Sequence, residues 1–367
     1  MPVIKKAVEN MSSVERVART FAFEKTDRIL IGYDANPVIH GLFSKAMGID
    51  ANDQLALYKT IGVDYVGHPL KYMGPQIYDD LPDRKRDPEF GAVMRYMTNE
   101  YGYYWDFCDF PLENACDEKI AAYPLPDPDD YDYDEIKAYV DTMRNEGFAV
   151  FAGGAGFGNI INKTGKLFGM ENALMNLYTK HEATLELLDK RLGGTIKIME
   201  RVLEENKRKF SFLWMGEDLG MQHTALISLD MYREVLQPRH QLFIDLAHNY
   251  NLPVLMHTCG SSSWVYEDFI EMGVNGVETL QPEASLMSPE YLSENFGGRL
   301  NFRGCISTAG ALAYGTEKEI KEECIRVLEV MMGCKGYHFA PCHAIQDNTP
   351  VENIISMYET AHEFGVY

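Results

Sequence analysis

Eight short, apolar, β-prone segments alternate with helical patterns along most of this 367-residue chain. A strand that is followed by a helix favours a parallel sheet, because the helix returns the chain to the end at which the next strand begins. Eight such units predict a (β/α)8 barrel, and the sequence has no GxGxxG after a strand and no GxxxxGK[ST] to indicate a nucleotide-binding sheet. The predicted strands are residues 28–33, 63–67, 148–153, 210–216, 253–257, 275–280, 299–304 and 336–340.

Residues 69–118 interrupt this alternation. They contain EFGAVMRYMTNEYGYYWDF, in which β-prone residues are divided by turn residues, a pattern that predicts a β-hairpin. Because the segment follows the second predicted strand, we expect it to be an excursion over the barrel mouth. We expect residues 1–367 to form one barrel domain that includes this excursion.

Charge and composition exclude several classes of partner. A formal net charge of −21 argues against binding to nucleic acid or to an anionic membrane, since both require a positive surface. The sequence contains no apolar run long enough for a membrane span or a signal peptide. The 7 cysteines are irregularly spaced, which argues against a disulfide framework, so we expect a cytoplasmic protein.

Chemically versatile residues recur at the carboxyl ends of the predicted strands. This is the face on which barrel enzymes build their active sites. Along the last five strands these residues are Glu217, Asp218, His257, Cys259, Glu278, Cys305, Cys342 and His343.

The segment PVLMHTCGSSS, residues 253–263, predicts a metal site. Residues two apart on a strand point to the same side, so His257 and Cys259 can converge on one ion. Zinc binds His nitrogen, Cys sulfur and carboxylate oxygen, and thiolate ligands argue against magnesium or calcium. We expect Cys342 as a third ligand, with Cys305 as its rival on the same rim, and Glu278 as an exchangeable fourth.

Several segments, taken in order, resemble the uroporphyrinogen decarboxylase superfamily. ERVARTFAFEKTDRILIGYDANP is similar to the opening helix and first strand of that superfamily. GEDLGMQHTALISLDMYREVLQPRHQLFIDLAH followed by HTCGS is similar to its central signature, and NTPVENIISMY is similar to its final helix. The resemblance extends over nearly the whole chain and implies a (β/α)8 barrel.

The resemblance implies one of two chemistries. The decarboxylases of the superfamily use no metal and bind a polycarboxylate through an arginine-rich N-terminal segment, but here IGYDANPVIHGLF contains no arginine. The other branch comprises zinc-dependent methyltransferases, including O-demethylases, that work with a corrinoid protein and carry a His-x-Cys motif, which His257 and Cys259 match. The resemblance therefore favours an enzyme that transfers a methyl group between a small donor or acceptor and a separate corrinoid protein. Members of this superfamily are often dimers, so the resemblance also implies a homodimer.

The resemblance leaves two candidates for the third zinc ligand. The sequence reads APCHAI where the methyltransferases have a cysteine between glycines. Counting forward from the last strand selects Cys342, which we expect to bind zinc, whereas counting back from Thr349 and Pro350 selects His343. We expect His343, with Glu217 and Asp218, to orient the substrate or move protons. The alternatives are a metal-free decarboxylase and a non-catalytic protein that zinc stabilises.

Overall fold

The computed structural model describes residues 3–98, 100 and 103–367 of the chain. Within these residues the strands are β1 (Leu30–Ile31), β2 (Tyr65–Val66), β3 (Arg84–Arg86), β4 (Val93–Thr98), β5 (Tyr103–Phe107), β6 (Ala149–Gly153), β7 (Phe210–Gly216), β8 (Val254–His257), β9 (Gly276–Leu280), β10 (Asn301–Ile306) and β11 (Tyr337–Pro341).

The same part of the chain forms helices that alternate with most of these strands. They are α1 (Ser13–Phe21), α2 (Pro37–Ala46), α3 (Gln54–Ile61), α4 (Asp117–Ala121), α5 (Tyr133–Asn145), α6 (Ile161–Phe168), α7 (Met170–Tyr178), α8 (Glu182–Glu205), α9 (Leu229–Met231), α10 (Gln237–Asn249), α11 (Tyr266–Met272), α12 (Pro289–Phe296), α13 (Ala311–Tyr314), α14 (Glu317–Met331) and α15 (Val351–Phe364). None of the helices in the described residues is both long enough and apolar enough to cross a membrane.

Eight parallel strands form a nearly closed barrel, in the order β1-β11-β10-β9-β8-β7-β6-β2. The two ends of this sheet, β1 and β2, meet where the Asp64 amide donates to the Ile31 carbonyl at 2.9 Å. Each strand coincides with one of the eight predicted segments, so the predicted (β/α)8 barrel is confirmed.

Aromatic side chains fill the interior of the barrel. Strand side chains point alternately to its two faces, and on β7 the inward positions are Phe212 and Trp214. Tyr65 packs edge-on against Phe212, with ring centroids 5.4 Å apart, and Phe151 packs against Trp214 at 4.9 Å. The interior is thus a packed core, and ligands are left to the rim.

The excursion after β2 contains a three-stranded antiparallel sheet, in the order β3-β4-β5. The β4–β5 pair confirms the predicted hairpin, and β3 extends it by one strand that the sequence pattern did not reveal. Contacts with α6 hold this sheet against the barrel: the Lys166 ammonium lies 4.2 Å from the ring centre of Phe107, and the Lys163 ammonium lies 5.1 Å from that of Phe90.

Candidate metal centre

Three side chains form a compact group at the mouth of the barrel. Donor atoms of Asp218, His257 and Cys259 lie within 4.8 Å of one another. His257 ends β8, and its Nε2 atom lies 3.3 Å from Asp218 Oδ1 and 3.4 Å from Cys259 Sγ. The side chain of Asn162, from α6, donates to the other oxygen of Asp218 at 2.6 Å. The predicted convergence of His257 and Cys259 is therefore present, and Asp218 completes the group.

The second ring nitrogen of His257 faces a different set of groups. Nδ1 donates to Oε1 of Glu278, and Thr279 Oγ1 lies 2.9 Å from the same nitrogen. Trp214 donates to Glu278 Oε1 at 3.2 Å, and Thr279 donates to Glu278 Oε2 at 2.8 Å. Glu278, expected as an exchangeable metal ligand, instead lies on the side of the imidazole away from Asp218 and Cys259, with both of its oxygens hydrogen-bonded. A carboxylate in this position fixes which ring nitrogen remains available.

Arg303 links this carboxylate to the first strand. Its Nη1 donates to Glu278 Oε2 at 3.1 Å, its Nε donates to the Tyr65 hydroxyl at 2.9 Å, and its Nη2 pairs with Asp34. The guanidinium lies 4.7 Å from the ring centre of Trp214, and the residue is only 2% exposed. No sequence pattern indicates Arg303, because it stands inside a strand and belongs to no motif.

The backbone is strained beside the centre. Thr279 has a φ of 63° and Cys305 has a φ of 68°, in the left-handed region that β-branched residues and cysteine rarely adopt. The pairing of β9 with β10 shifts register between Arg303 and Gly304, which accommodates the extra residue. This irregularity turns the Thr279 hydroxyl towards both His257 and Glu278.

Cys342 and His343 lie on the wall of a cleft that Cys259 also lines. The cleft has a volume of about 400 Å³. Cys342 is buried, with its sulfur 3.6 Å from Thr308 Oγ1, and it is outside the compact group of Asp218, His257 and Cys259 among the described residues. His343 is exposed. Both predicted residues therefore share a cleft with the candidate centre. Cys305, the rival, is fully buried in the core.

Glu217 serves as an anchor between elements. It is fully buried and accepts hydrogen bonds from the backbone amides of Ile160 at 2.6 Å and Ile161 at 3.0 Å, where α6 begins. His240 on α10 is 3.3 Å from its Oε2 atom. Negative charge at a helix N-terminus is stabilising. The structure thus places Glu217 in a helix-capping position, whereas its neighbour Asp218 faces His257 and Cys259.

The electrostatics of the centre depend on two carboxylates that flank one imidazole. Burial acts to lower the pKa of His257, but the charge of Glu278 and the hydrogen bond with Asp218 raise it well above its ordinary value. Burial acts to raise the pKa of Glu278, but His257 and Arg303 lower it to about 2. Burial raises the pKa of the Cys259 thiol. Positive charge is thus stabilised at this point of the mouth.

The donor set fits a zinc ion. Imidazole nitrogen, thiolate sulfur and carboxylate oxygen are the three ligand types that zinc accepts in proteins. His257 Nε2, Cys259 Sγ and an Asp218 oxygen are already close together, and Nδ1 of the same imidazole is held by a carboxylate, as in many metal-binding histidines. The two carboxylates that stabilise an imidazolium would stabilise a bound cation for the same reason.

A second cavity, of about 300 Å³, lies between α8, β6 and the loop after β6. Lys163 and Glu89 line it, together with the backbone of Gly153 and Gly154. Burial lowers the pKa of Lys163 to about 8 and raises that of Glu89. No sequence pattern indicates either residue, because each is isolated from any motif.

Comparison with known proteins gives a family and a fold. The model of the family described as uroporphyrinogen decarboxylase (URO-D) matches residues 131–364. Among solved structures, a methyltransferase from Methanosarcina mazei is 16% identical with a TM-score of 0.69, covering 97% of this chain and 99% of that one. A native xylanase 10B from Thermotoga maritima is 12% identical with a TM-score of 0.46, covering 96% and 98%. No curated protein matches the sequence. At 16% identity the likeness to the methyltransferase shows the barrel fold alone.

Proposed function

The chain belongs to the uroporphyrinogen decarboxylase (URO-D) family, and from that premise we propose that it is a zinc-dependent methyltransferase. It moves a methyl group between a small donor, such as a methoxylated aromatic, and the cobalt of a separate corrinoid protein. The observation that carries this proposal is the grouping of Asp218, His257 and Cys259 within 4.8 Å at the mouth of the barrel. The protein from Methanosarcina mazei that shares this fold is itself a methyltransferase, which agrees with the proposal.

His257 and Cys259 would hold the zinc ion. Asp218, which is already beside them, and Cys342, on the wall of the same cleft, are the candidates for a further ligand. A zinc ion bound there supplies Lewis acidity, which stabilises the negative charge that develops on a heteroatom when it loses a methyl group. Methyl ethers need this help, because an alkoxide or phenolate leaves poorly at neutral pH.

The protein's own residues orient these groups. Glu278 holds the Nδ1–H of His257 and so leaves Nε2 facing Asp218 and Cys259. Arg303 and Trp214 fix Glu278 in turn, and the barrel interior around them excludes water. His343 lines the cleft, where its imidazole can form a hydrogen bond with a bound substrate.

The cobalt must arrive on a partner. The sequence contains no Asp-x-His-x-x-Gly motif of the kind that binds a corrinoid. An open mouth with exposed His343 leaves the centre accessible to another protein. A thiolate-dependent site also requires a reducing compartment, so we place the enzyme in the cytoplasm.

A metal-free decarboxylase is the alternative within the family. Such an enzyme would need cationic side chains to bind a substrate with many carboxylates. Among the described residues, those that line the cleft beside Cys259 include neither lysine nor arginine. The charge of the cleft therefore favours methyl transfer.

Zinc content and methyl transfer test the proposal together. We expect the purified protein to bind about one zinc ion per chain. Supplied with a Co(I) corrinoid protein and a panel of methoxylated aromatics, methylamines and methyl thiols, it should methylate the cobalt, which changes its absorbance. His257→Ala should lose both the zinc and the activity while remaining folded. Carbon dioxide release from uroporphyrinogen by zinc-free protein would contradict the proposal.

A further inference from the structure

The cleft beside the candidate centre is built almost entirely from uncharged polar groups. Besides Cys259 and Cys342 it is lined by hydroxyl and carboxamide side chains, including those of Thr308, Gln281 and Gln346. Such groups bind neutral hydroxyl and ether oxygens without requiring charge. The second cavity contrasts with this cleft, because it contains a lysine.

Glu283 supplies a negative charge in this cleft. One of its oxygens accepts a hydrogen bond from the Ser307 hydroxyl, and the residue is exposed. No donor in the described part of the chain occupies the other oxygen. Glu323 lies behind the same loop, where it accepts from the Ser307 amide at 3.1 Å, and it adds a second acidic group. Apart from the proposed zinc ion, the carboxylates of Glu283 and Glu323 are therefore the nearest charges to a ligand in this cleft.

A carboxylate on a bound ligand would meet Glu283 at close range. Two like charges in a partly enclosed cleft repel each other, and no lysine or arginine among the described lining residues offsets the repulsion once the ether oxygen binds the proposed zinc ion. A hydroxyl group, by contrast, can donate to the free oxygen of Glu283. The leaving heteroatom must keep a lone pair for the metal, and an ether oxygen does so whereas a protonated or quaternary amine nitrogen does not.

Building on the proposed function, we infer that the methyl donor is a hydroxylated methyl ether without an anionic substituent. Glu283 is the residue that selects it, by accepting a hydrogen bond from the donor hydroxyl and by repelling carboxylates. A phenol that carries a methoxy group and a free hydroxyl, and no acid group, is the simplest member of this class.

A matched pair of compounds tests this inference. 2-Methoxy-4-methylphenol and 4-hydroxy-3-methoxybenzoate share the ring, the hydroxyl and the methoxy group, and they differ in a methyl group against a carboxylate. Affinities are measured by calorimetry with the zinc-loaded protein at pH 8, where imidazole side chains are ordinarily neutral, and methyl transfer is measured in parallel. We expect the phenol to bind at least roughly tenfold more tightly, a difference of about 1.4 kcal/mol.

Variants of Glu283 assign the preference to this residue. Glu283→Gln should bring the two affinities together, and Glu283→Lys should reverse their order. Glu171→Lys makes the same change of charge on exposed α7 and should leave the preference unchanged. Equal or tighter binding of the acid to the parent protein, or a preference that survives in Glu283→Lys, would overturn the inference. A preserved binding preference without any methyl transfer would count against the proposed function, and it would leave Glu283 as the residue that selects the ligand but not the ligand as a methyl donor.

Discussion

His257 is the residue on which the candidate centre depends, because each of its ring nitrogens has a separate task. Nδ1 is engaged by Glu278 and Thr279, and Nε2 faces Asp218 and Cys259. An imidazole that is held on one side by a carboxylate keeps one orientation and one tautomer. The centre is thereby prepared for a ligand on the Nε2 side only.

Single substitutions identify the remaining metal ligand. Cys342→Ala should lose most of its zinc, because a second thiolate suits zinc better than a carboxylate does. His343→Ala should keep its zinc and lose mainly rate. Zinc content is measured by elemental analysis and turnover by cobalt methylation.

Asp218→Asn is the control that decides whether Asp218 or Cys342 is the further zinc ligand. If this variant keeps its zinc, the contact between Asp218 and His257 serves to orient the imidazole. If it loses zinc whereas Cys342→Ala keeps it, the three grouped residues are the ligand set and the expectation for Cys342 is wrong. Cys342 lies 3.6 Å from the Thr308 hydroxyl, and burial raises its pKa to about 11, so it remains a thiol until a metal displaces the proton.

The sequence revealed the part of the centre that lies on a single strand. His257 and Cys259 are two apart, so strand periodicity alone places them on one side. Asp218 and Glu278 approach His257 from the neighbouring strands β7 and β9, and their positions depend on register, which a sequence pattern does not specify. No sequence pattern indicates the role of Arg303, because its partners lie on three other strands or strand ends.

At the scale of elements, Glu217 joins β7 to α6 and α10. Its carboxylate caps the first amides of α6, and the next residue of that helix, Asn162, donates to Asp218. Glu217, which precedes Asp218 in the sequence, thus fixes the helix that supports Asp218.

Substitution of Glu217 should affect stability more than chemistry. Glu217→Ala leaves two buried amides without an acceptor, at a cost of about 3 kcal/mol, and Glu217→Gln should cost about 1 kcal/mol. Urea unfolding measures both values. A Glu217→Gln protein as stable as the parent but much slower in methyl transfer would restore the catalytic role that the sequence suggested.

The elements themselves were largely predictable. Each barrel strand combines apolar, β-prone residues with a following helix, and these local signals coincide with the final topology. The exceptions are short strands. β1 and β2 have two residues each, although six and five were expected. They are short because each pairs on one side only, β1 with β11 and β2 with β6. β3, which is polar and has three residues, carries no pattern that distinguishes it from a loop.

At the scale of the whole molecule, the barrel closes around a buried ion network. Asp64, fully buried between β1 and β2, accepts hydrogen bonds from Arg16 and Arg28, each at 2.6 Å, and from the amide of Ile31 at 2.8 Å. Asp27 binds the same Arg16 at 2.7 Å. The network joins α1 to the two terminal strands of the sheet, which are not paired by a ladder of their own.

Acid should therefore weaken the seam of the barrel, by which we mean the junction where β1 and β2 meet around Asp64. Burial acts to raise the pKa of Asp64, but Arg28 and Arg16 outweigh it and lower that pKa, and Asp27 is lowered in the same way. A carboxyl whose pKa is lowered by folding stabilises the protein above its unfolded value, about 3.9, and loses that stabilisation as the pH falls towards its folded value. The contribution of this network to the free energy of unfolding should thus be nearly constant above about pH 5. It should decline steeply below about pH 4.

Asp64→Asn tests this seam directly. The substitution leaves two buried guanidinium groups without their shared partner, so we expect it to cost about 3–5 kcal/mol at pH 7. It should also flatten part of the decline in acid, because one of the two titrating carboxyls is gone and Asp27 remains. Urea unfolding of parent and variant between pH 3 and 7, followed by circular dichroism, measures both effects. The exposed pair of Glu267 and Arg299, at 2.7 Å, is the matched control: Glu267→Gln should change stability by less than about 1 kcal/mol. An Asp64→Asn protein that unfolds in parallel with the parent across this range would show that the seam is closed by the apolar core alone.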